Sequence, residues 1–328
     1  MKKVLILPGS NSIGLGEMIA SILESVTGDL DIECEYLDEA QSFESRTYSS
    51  SAALENASDA DALIIGAFGN QNDGRRKGWV RHLKQQLNLH TYVREFYPLS
   101  DDKGDIDVLL ISENADVTLN VSETESLEGV STKKFVSSNN CKKMLAKGVE
   151  FAERGNRRQM TCVHNKSMNP FSDRMFVDVF YREMTGSNFM VNDMDIESAM
   201  MGLVRDPNGY DVILSPERYK EAFNGVLSGL IFDGHLPPKG SIGDRMGLFE
   251  PASMPTIGVE DKPSLDLVSS ALSISMALDY LGMTKEGACV KKATMKVRNS
   301  LRPSRSKESL TIENFTGMVL NEINSIMG

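Results

Sequence analysis

Positive side chains gather in one stretch of an otherwise acidic chain. The run Gly74-Arg75-Arg76-Lys77 is followed by Arg81, Lys84 and Arg94, whereas the 328 residues together carry a formal net charge of -11. Because guanidinium and ammonium groups bind carboxylates and phosphates, this stretch could form an anion site. The alternative is a solvated helix face, in which the charges point outward. Such a helix would turn its apolar residues inward, namely Trp79, Val80, Leu83 and Leu87.

Bulk composition limits the class of protein. Hydrophobic residues make up 41% and charged residues 25%, which is typical of a folded globular protein with either two domains or one large α/β unit. The negative charge disfavours nucleic acid and anionic membranes as partners. The apolar run from Val4 to Leu7 is too short for a signal peptide, and no later run reaches membrane-spanning length, so we expect a cytoplasmic location.

The cysteines do not indicate a metal or redox site. Cys34, Cys141, Cys162 and Cys289 are scattered and include no C-x-x-C pair. We expect free, mostly buried thiols in a reducing compartment.

Short β-branched runs alternate with amphipathic segments, which predicts an α/β fold with parallel strands buried between helices. The candidate strands run from Val4 to Leu7, Ala62 to Ala67, Val108 to Ile111, Thr161 to His164 and Val212 to Leu214. A Gly-rich turn follows the first strand, and apolar residues then recur at helical spacing at Met18, Ile19, Ile22, Leu23 and Val26.

Three segments lack a helical apolar stripe. The stretch from Asp116 to Ser138 is rich in Ser, Thr, Glu and Val and predicts a hairpin or an extended arm, with a solvated loop as the alternative. The stretches from Met184 to Asp195 and from Asp233 to Gly247 are rich in Gly, Pro, Asn and Asp. We expect both to be loops that cross between two lobes.

A series of motifs in consistent order resembles the metal- and NAD(P)-dependent β-decarboxylating dehydrogenases, the isocitrate and 3-isopropylmalate dehydrogenase family. The motifs are Leu5-Ile-Leu-Pro-Gly-Ser-Asn-Ser-Ile-Gly14, Leu83 to Leu89 with Arg94, Ser112-Glu-Asn114, Val163-His164 with Ser172-Asp173, Met200 to Asp206 with Tyr210 to Ile213, Ser241 to Asp244 with Leu248 to Pro251, Ala277 to Gly282 and Leu310 to Thr316. They span nearly the whole chain.

The resemblance implies a two-domain fold with an active site in the cleft between the domains. Residues 1–98 and 240–328 would form a large α/β domain, and residues 99–239 a small domain. The arm near residues 116–138 would interlock two subunits. The partner is then a second copy or, in a hetero-oligomer, an active paralogue.

The resemblance also implies oxidation of a malate-like 2-hydroxy acid and loss of carbon dioxide. The three arginines with which the family holds carboxylates fall on Lys84, Arg94 and Ser112, and Asn114 belongs to the same motif. Two cations remain, so a small dicarboxylate could still bind.

The metal and proton-transfer positions are substituted. The family's three carboxylate ligands for Mg²⁺ or Mn²⁺, one of them from the partner subunit, fall on Glu197, Glu221 and Gly225. Both glutamates also suit an ordinary helix surface. The family's proton-transferring tyrosine and lysine fall on Leu119 and Asn165. Lys166 could substitute only if the strand end were shifted, because neighbouring strand residues face opposite ways.

The nucleotide segments differ from the family pattern too. Ala252 to Asp261 replaces the family's adenosine loop, and Ser10 to Gly14 replaces its Gly-Asp-Gly-Ile-Gly turn with one extra residue. Binding of NAD(P) is therefore not expected. The sequence favours a binding or regulatory protein with a degenerate active site, a pseudoenzyme.

Two alternatives stay open. One is an active NAD(P)-dependent oxidoreductase acting on a 2-hydroxy di- or tricarboxylate, with Lys166, His164 or His235 as proton carriers and Arg75, Arg76 and Arg81 holding the anion. In the other, Tyr92 or Lys166 restores the family's proton-transfer arrangement in space.

Overall fold

The computed structural model describes residues 1–7, 13–34, 51–66, 74–98, 106–118, 120–231, 236–251, 262–301 and 310–328. Several predictions from the sequence fall outside these ranges. They concern the turn before Gly14, the small-domain boundary at residue 99, Leu119, His235 and the segment 252–261. The side chains of Arg75, Arg76 and Lys77 also lie outside the description.

Strands and helices alternate over most of the described chain. The strands are β1 (Lys2–Leu7), β2 (Leu30–Cys34), β3 (Ala62–Ile65), β4 (Thr91–Phe96), β5 (Val108–Glu113), β6 (Asn120–Ser126), β7 (Gly129–Phe135), β8 (Gln159–His164), β9 (Met190–Asp195), β10 (Val212–Ser215), β11 (Lys239–Ile242) and β12 (Gly247–Glu250). The α-helices are α1 (Ile13–Val26), α2 (Ser51–Asp59), α3 (Gly74–Gln86), α4 (Ala115–Thr118), α5 (Ser138–Arg154), α6 (Ser172–Met184), α7 (Ile196–Arg205), α8 (Glu217–Ile231), α9 (Lys262–Tyr280), α10 (Thr284–Leu301) and α11 (Ile312–Met327).

One ten-stranded sheet organises the molecule, in the order β2-β1-β3-β12-β11-β4-β5-β10-β8-β9. The outer strands pair in parallel, as predicted, because helices connect them. Around β4 and β11 the pairing is antiparallel. The α/β class and all five predicted strands are confirmed, as is α1 with its buried apolar stripe.

Two loop predictions were wrong. The segment from Met184 to Asp195 contains β9, which pairs in parallel with β8 along six residues. The segment from Asp233 to Gly247 contains β11, which pairs with β12 and β4. Polar residues and glycine are tolerated in both strands because β9 is an edge strand and because Gly240 allows close packing. A Cβ on Gly240 would lie 2.7 Å from Cγ2 of Val93.

The predicted arm is an antiparallel hairpin of β6 and β7, and every residue of β7 is exposed. The cysteine prediction is also confirmed, since none of the four cysteines is in a disulfide and Cys141, Cys162 and Cys289 are buried. Among the described helices none is both long and apolar enough to cross a membrane.

The two faces of the sheet are packed differently. The back face, which carries Val93, is covered by one continuous hydrophobic core that includes residues of α1, α5, α9 and α10. On the front face, which carries Tyr92, the core is split into two clusters. One contains Leu83 and Leu248, and the other contains Leu110 and Phe223. Between these two clusters the front face is polar.

Candidate functional site

A cleft of about 240 Å³ opens on the front face where β4 and β11 meet. We call it the front cleft. Its walls come from α3, α4, α8 and the central strands. The lining residues are Lys84, Tyr92, Arg94, Asn114, Ala115, Asp116, Glu217, Lys220, Glu221, Asn224, Leu236, Lys239 and Ser241.

Strand register sets the floor of the front cleft. Ser241 lies opposite Tyr92, and Tyr92 lies opposite Ser112, so these three side chains share one row on the front face. In the next row Lys239 lies opposite Glu250. Because Gly240 pairs with Val93, the same register places Lys239 beside Arg94. Two polar rows therefore cross the centre of the sheet.

Lys84 is not a solvated helix charge. Its side chain is 2% exposed, and its ammonium donates to Oε1 of Glu250 and, at 3.2 Å, to Oδ2 of Asp116. The solvated-face alternative is therefore wrong for this residue, although it describes Arg81, whose side chain is 65% exposed. The sequence does not show that Lys84 is buried and Arg81 exposed, because both residues lie in the same basic helix.

Burial and ion pairing oppose each other around Lys84. Burial alone would lower the pKa of Lys84, but the carboxylates of Glu250 and Asp116 outweigh it and raise that pKa. Burial likewise would raise the pKa of Glu250, but Lys239 and Lys84 outweigh it and lower that pKa. Lys84 and Glu250 therefore both stay ionised at neutral pH. Lys84 is committed to protein carboxylates and is a poor partner for a ligand.

Arg94 is the cation available to a ligand. Arg94 is 3% exposed, and its Nε has no hydrogen-bond partner. The guanidinium forms no ion pair within the described part of the chain. The guanidinium carbon lies 5.5 Å from the centre of the Tyr92 ring. The buried hydroxyls of Ser112 and Ser241 are also without partners. Buried donors of this kind are costly unless something accepts their hydrogen bonds.

Tyr92 contributes a neutral phenol. Its hydroxyl donates to Oδ1 of Asn224 at 3.0 Å, and burial raises the pKa of Tyr92 to about 12. Asn224 in turn donates to Oε2 of Glu221 at 3.1 Å. These two hydrogen bonds fix the Tyr92 ring, and the ammonium of Lys220 lies 4.8 Å from the ring centre.

Asn114 shapes the cleft wall. Its amide donates to the carbonyl of Leu89 at 2.8 Å, and its side-chain oxygen accepts from the backbone N–H of Asp116 at 3.2 Å. It thereby begins α4 and aims Asp116 at Lys84. Its contacts are those of a positioning residue.

The residues at the family's metal positions do not converge in one chain. Glu221 lines the front cleft but pairs with Lys220 at 3.5 Å, and Gly225 has open space around it. Glu197 instead accepts from the side-chain amide of Asn165 at 3.3 Å. Among the described residues no three His, Cys, Asp or Glu side chains are placed to hold a metal ion. The donor set of a single chain therefore does not fit Mg²⁺ or Mn²⁺.

Asn165 is fixed by the turn that follows β8. Its side-chain oxygen accepts from Ser167 Oγ at 2.7 Å and from the backbone N–H of Met168 at 3.0 Å, and its own N–H donates to Asp173 at 2.7 Å. The ammonium of Lys166 donates to Asp193 at 3.0 Å, on β9. His164 contacts the same carboxylate at 2.7 Å. Neither Lys166 nor His164 lines the front cleft.

Sequence reasoning missed Lys239 as a site residue. The resemblance places it at a domain boundary, within a segment that the sequence predicts to be a loop. The signal was the alternation Lys239-Gly-Ser241 before a tight turn, which places both polar side chains on one face of a strand. Glu250 was noted only as part of a motif.

Comparisons with known proteins agree with this architecture. Residues 15–308 match the isocitrate/isopropylmalate dehydrogenase family. A homoisocitrate dehydrogenase from Methanocaldococcus jannaschii is 24% identical over 257 residues, which is 73% of this chain and 74% of that protein. A 3-isopropylmalate dehydrogenase from Methanothermobacter thermautotrophicus is 23% identical over 90% of both chains.

A solved structure of a β-decarboxylating dehydrogenase from Thermococcus kodakarensis has the same fold. It aligns with a TM-score of 0.80 at 20% identity, covering 100% of this chain and 97% of the other. The mixed sheet, with helices on both faces and a polar cleft at its centre, places the chain in the α/β class with this dehydrogenase fold. The chain belongs to the isocitrate/isopropylmalate dehydrogenase family.

Proposed function

We propose that the front cleft binds a small di- or tricarboxylate, and that the chain has a binding or regulatory role instead of the family's metal-dependent oxidative decarboxylation. The observation that carries the proposal is Arg94. It is buried, forms no ion pair with a carboxylate of the described residues, and faces the cleft beside the partnerless hydroxyl of Ser241. A planar guanidinium in this setting matches a carboxylate.

Three substitutions argue against the parental chemistry. Asn165 stands at the family's lysine position and cannot move a proton as a lysine does. Gly225 has no side chain at a metal position. Ser112 stands where the resemblance implies an arginine. Together they remove one group each from proton transfer, metal binding and substrate binding, so the cleft is better suited to holding an acid than to oxidising it.

The remaining features of the proposal follow the family's organisation. Residues 1–98 with 240–328 form the large domain, and residues 99–239 form the small one. The β6–β7 hairpin joins two subunits, in a homodimer or in a hetero-oligomer with an active paralogue, in the cytoplasm. The exposed apolar side chains of Leu127, Val130 and Phe135 on the hairpin support such a contact.

Tyr92 favours a second candidate function, an active NAD(P)-dependent oxidoreductase with altered catalytic residues. Its neutral phenol lines the cleft beside Arg94 and could donate a proton to a product enolate. A cofactor would supply the hydride acceptor. We still favour a binding or regulatory role over an oxidoreductase, because Lys166 contacts Asp193 and does not line the cleft.

Ligand titration tests the proposal. The purified protein is titrated calorimetrically at pH 6.5 with malate, tartrate, isopropylmalate and isocitrate, each with and without Mg²⁺ and NAD or NADP. We expect at least one acid to bind without metal or nucleotide. Arg94→Gln should weaken that binding roughly 30-fold or more, because truncating a buried charged partner costs about 2 kcal/mol or more.

Arg245→Gln is the matched control, since Arg245 is exposed and lies outside the cleft. It should leave the affinity unchanged. Failure of all four acids to bind, or equal losses in both variants, would overturn the proposal. Steady production of NADH or NADPH from one acid would establish the oxidoreductase instead.

A further inference from the structure

Lys239 occupies the row of the sheet that joins Glu250 to Arg94. It pairs with Glu250 across β11 and β12, its ammonium lies 3.3 Å from Oε1 of Glu250, and the register places Arg94 on its other side. Its side chain is 20% exposed and lines the front cleft. Lys239 can therefore reach both a protein carboxylate and anything bound beside Arg94.

Three cations, Lys84, Lys239 and Arg94, lie near two carboxylates, Glu250 and Asp116, in this part of the cleft. Lys84 and Lys239 both contact the same oxygen of Glu250. Lys84 forms a second ion pair, with Asp116 at 3.2 Å, whereas Glu250 is the one ion-pair partner of Lys239 among the described residues and Asp116 acts on Lys239 only from farther away. The other acids of the cleft are engaged, Glu221 with Lys220 and Glu217 with Lys134. Lys239 and Arg94 thus share a region with surplus positive charge.

Burial and the neighbouring cations both act on the amine of Lys239. Burial lowers the pKa of Lys239 to about 8; Glu250 opposes the shift, and Lys84 and Arg94 add to it. Asp116 also opposes it. The pKa of Lys84 is not lowered in this way, because Lys84 pairs with two carboxylates. Near pH 8 a negative charge placed between Arg94 and Lys239 would favour the ammonium form.

We propose that Lys239 is a ligand-binding residue of the front cleft, and that its amine takes up a proton when a carboxylate binds beside Arg94. This inference rests on the proposed function and extends it. Lys239 supplies the charge lost at Ser112, so the cleft offers two cations to one ligand. The class of ligand that it fits best is a dicarboxylate, with one carboxylate on Arg94 and the other on Lys239.

Proton uptake is tested by calorimetry with malate, tartrate, isopropylmalate and isocitrate at pH 7 and pH 9, in pairs of buffers with different ionisation enthalpies. At pH 9 the binding enthalpy should depend on the buffer and report uptake approaching one proton. The affinity should be about tenfold weaker at pH 9 than at pH 7, because only the protonated fraction of Lys239 binds well.

Lys239→Arg carries a permanent charge and separates the proton step from binding. It should keep the pH 7 affinity within a few fold, take up no proton and lose the pH dependence. Lys239→Met should bind weakly at both pH values. Lys296→Arg, altered at an exposed lysine outside the cleft, should behave as wild type.

The outcomes separate the two proposals. If wild type binds no acid at pH 6.5, the proposed function fails. If wild type binds through Arg94 but shows neither proton uptake nor a change in affinity between pH 7 and pH 9, only the role of Lys239 is overturned. The same conclusion follows if Lys239→Arg retains the uptake.

Discussion

The front cleft has a counterpart on the opposite face of the same strand. Arg94 points to the front cleft, and its neighbour Glu95 points to a second cleft of about 210 Å³ on the back face, the back cleft. The back cleft is lined by Glu95, Asp107, Phe151, Arg154, Gly155, Arg157, Asp279, Thr284 and Lys291. The two clefts are similar in size and both are rich in charge.

They differ in which charges are paired. In the back cleft the cations are engaged. Arg157 contacts Asp107 at 2.7 Å and Asp211 at 3.1 Å, Arg154 contacts Glu150 at 2.5 Å, and Lys291 lies 3.7 Å from Glu95 and over the Tyr97 ring. Among the charged residues that line the back cleft, Asp279 is the one that forms no ion pair with a described residue. In the front cleft the group left over is a cation, Arg94.

The difference indicates what each cleft is suited to do. Burial raises the pKa of Asp279 to about 7, with Glu95 adding to the shift and Lys291 opposing it, so this acid can lose its charge by binding a proton. A guanidinium cannot be neutralised in that way, so Arg94 requires an anion. Volume and charge content therefore do not identify a ligand site, whereas the chemistry of the unpaired group does.

The largest effect on stability is expected at Glu250, the carboxylate shared by buried Lys84 and partly buried Lys239. Glu250→Gln should lower the free energy of unfolding by about 3–5 kcal/mol, because it leaves buried charge uncompensated. Urea unfolding measures the change. Glu322→Gln, which breaks a surface pair with Lys296, is the control and should cost no more than about 1 kcal/mol. Equal costs would mean that the front-cleft network is no more than a surface feature.

The next effect concerns pH and Asp279. Its pKa is higher in the folded protein than in the unfolded chain, so the folded state binds more protons between about pH 4 and pH 7. Stability should fall as the pH rises through that window, by at most about 1.4 kcal/mol per pH unit from this group. Asp279→Asn should make the fall shallower in urea unfolding at several pH values. Asp178→Asn, at an exposed acid, is the control, and the same slope in both variants would contradict the prediction.

The smallest effect is expected at the rim of the back cleft. Arg154 is 38% exposed, pairs with Glu150 within α5, and stacks 5.4 Å from the centre of the Tyr280 ring. Arg154→Gln should change the free energy of unfolding by about 1 kcal/mol or less. It should leave the affinity for the dicarboxylate unchanged. A loss of affinity like that of Arg94→Gln would show that both clefts serve the ligand and would end the distinction between them.

Much of the fold could be predicted from the sequence because buried parallel strands and their helices carry strong apolar patterns. The runs that became β1, β3, β5 and β10 are mostly hydrophobic, the run that became β8 is buried, and the five apolar residues predicted to line α1 are all buried. The strands β9 and β11 were missed because one lies at the edge of the sheet and the other carries the site. Both are polar, and hydrophobic pattern alone does not detect them.

The site was only partly predictable for a related reason. Arg94 was identified as a cation available to a carboxylate, and the structure places it unpaired in the cleft. Lys84 was identified from the same basic stretch of sequence, but its two carboxylate partners are 32 and 166 residues away in sequence. Long-range ion pairs decide which cation is free, and local sequence does not report them.

The β6–β7 hairpin has a consequence for limited proteolysis. Two strands without a core beneath them are only marginally stable, and the turn at Leu127 is fully exposed, so a protease should cleave there first. A cut would not separate the halves, because β5 before the hairpin pairs with β10 after it within the same sheet. The nicked protein should stay folded as two associated fragments. If subunits bury the hairpin reversibly, this turn should resist cleavage at high protein concentration and become sensitive to it on dilution.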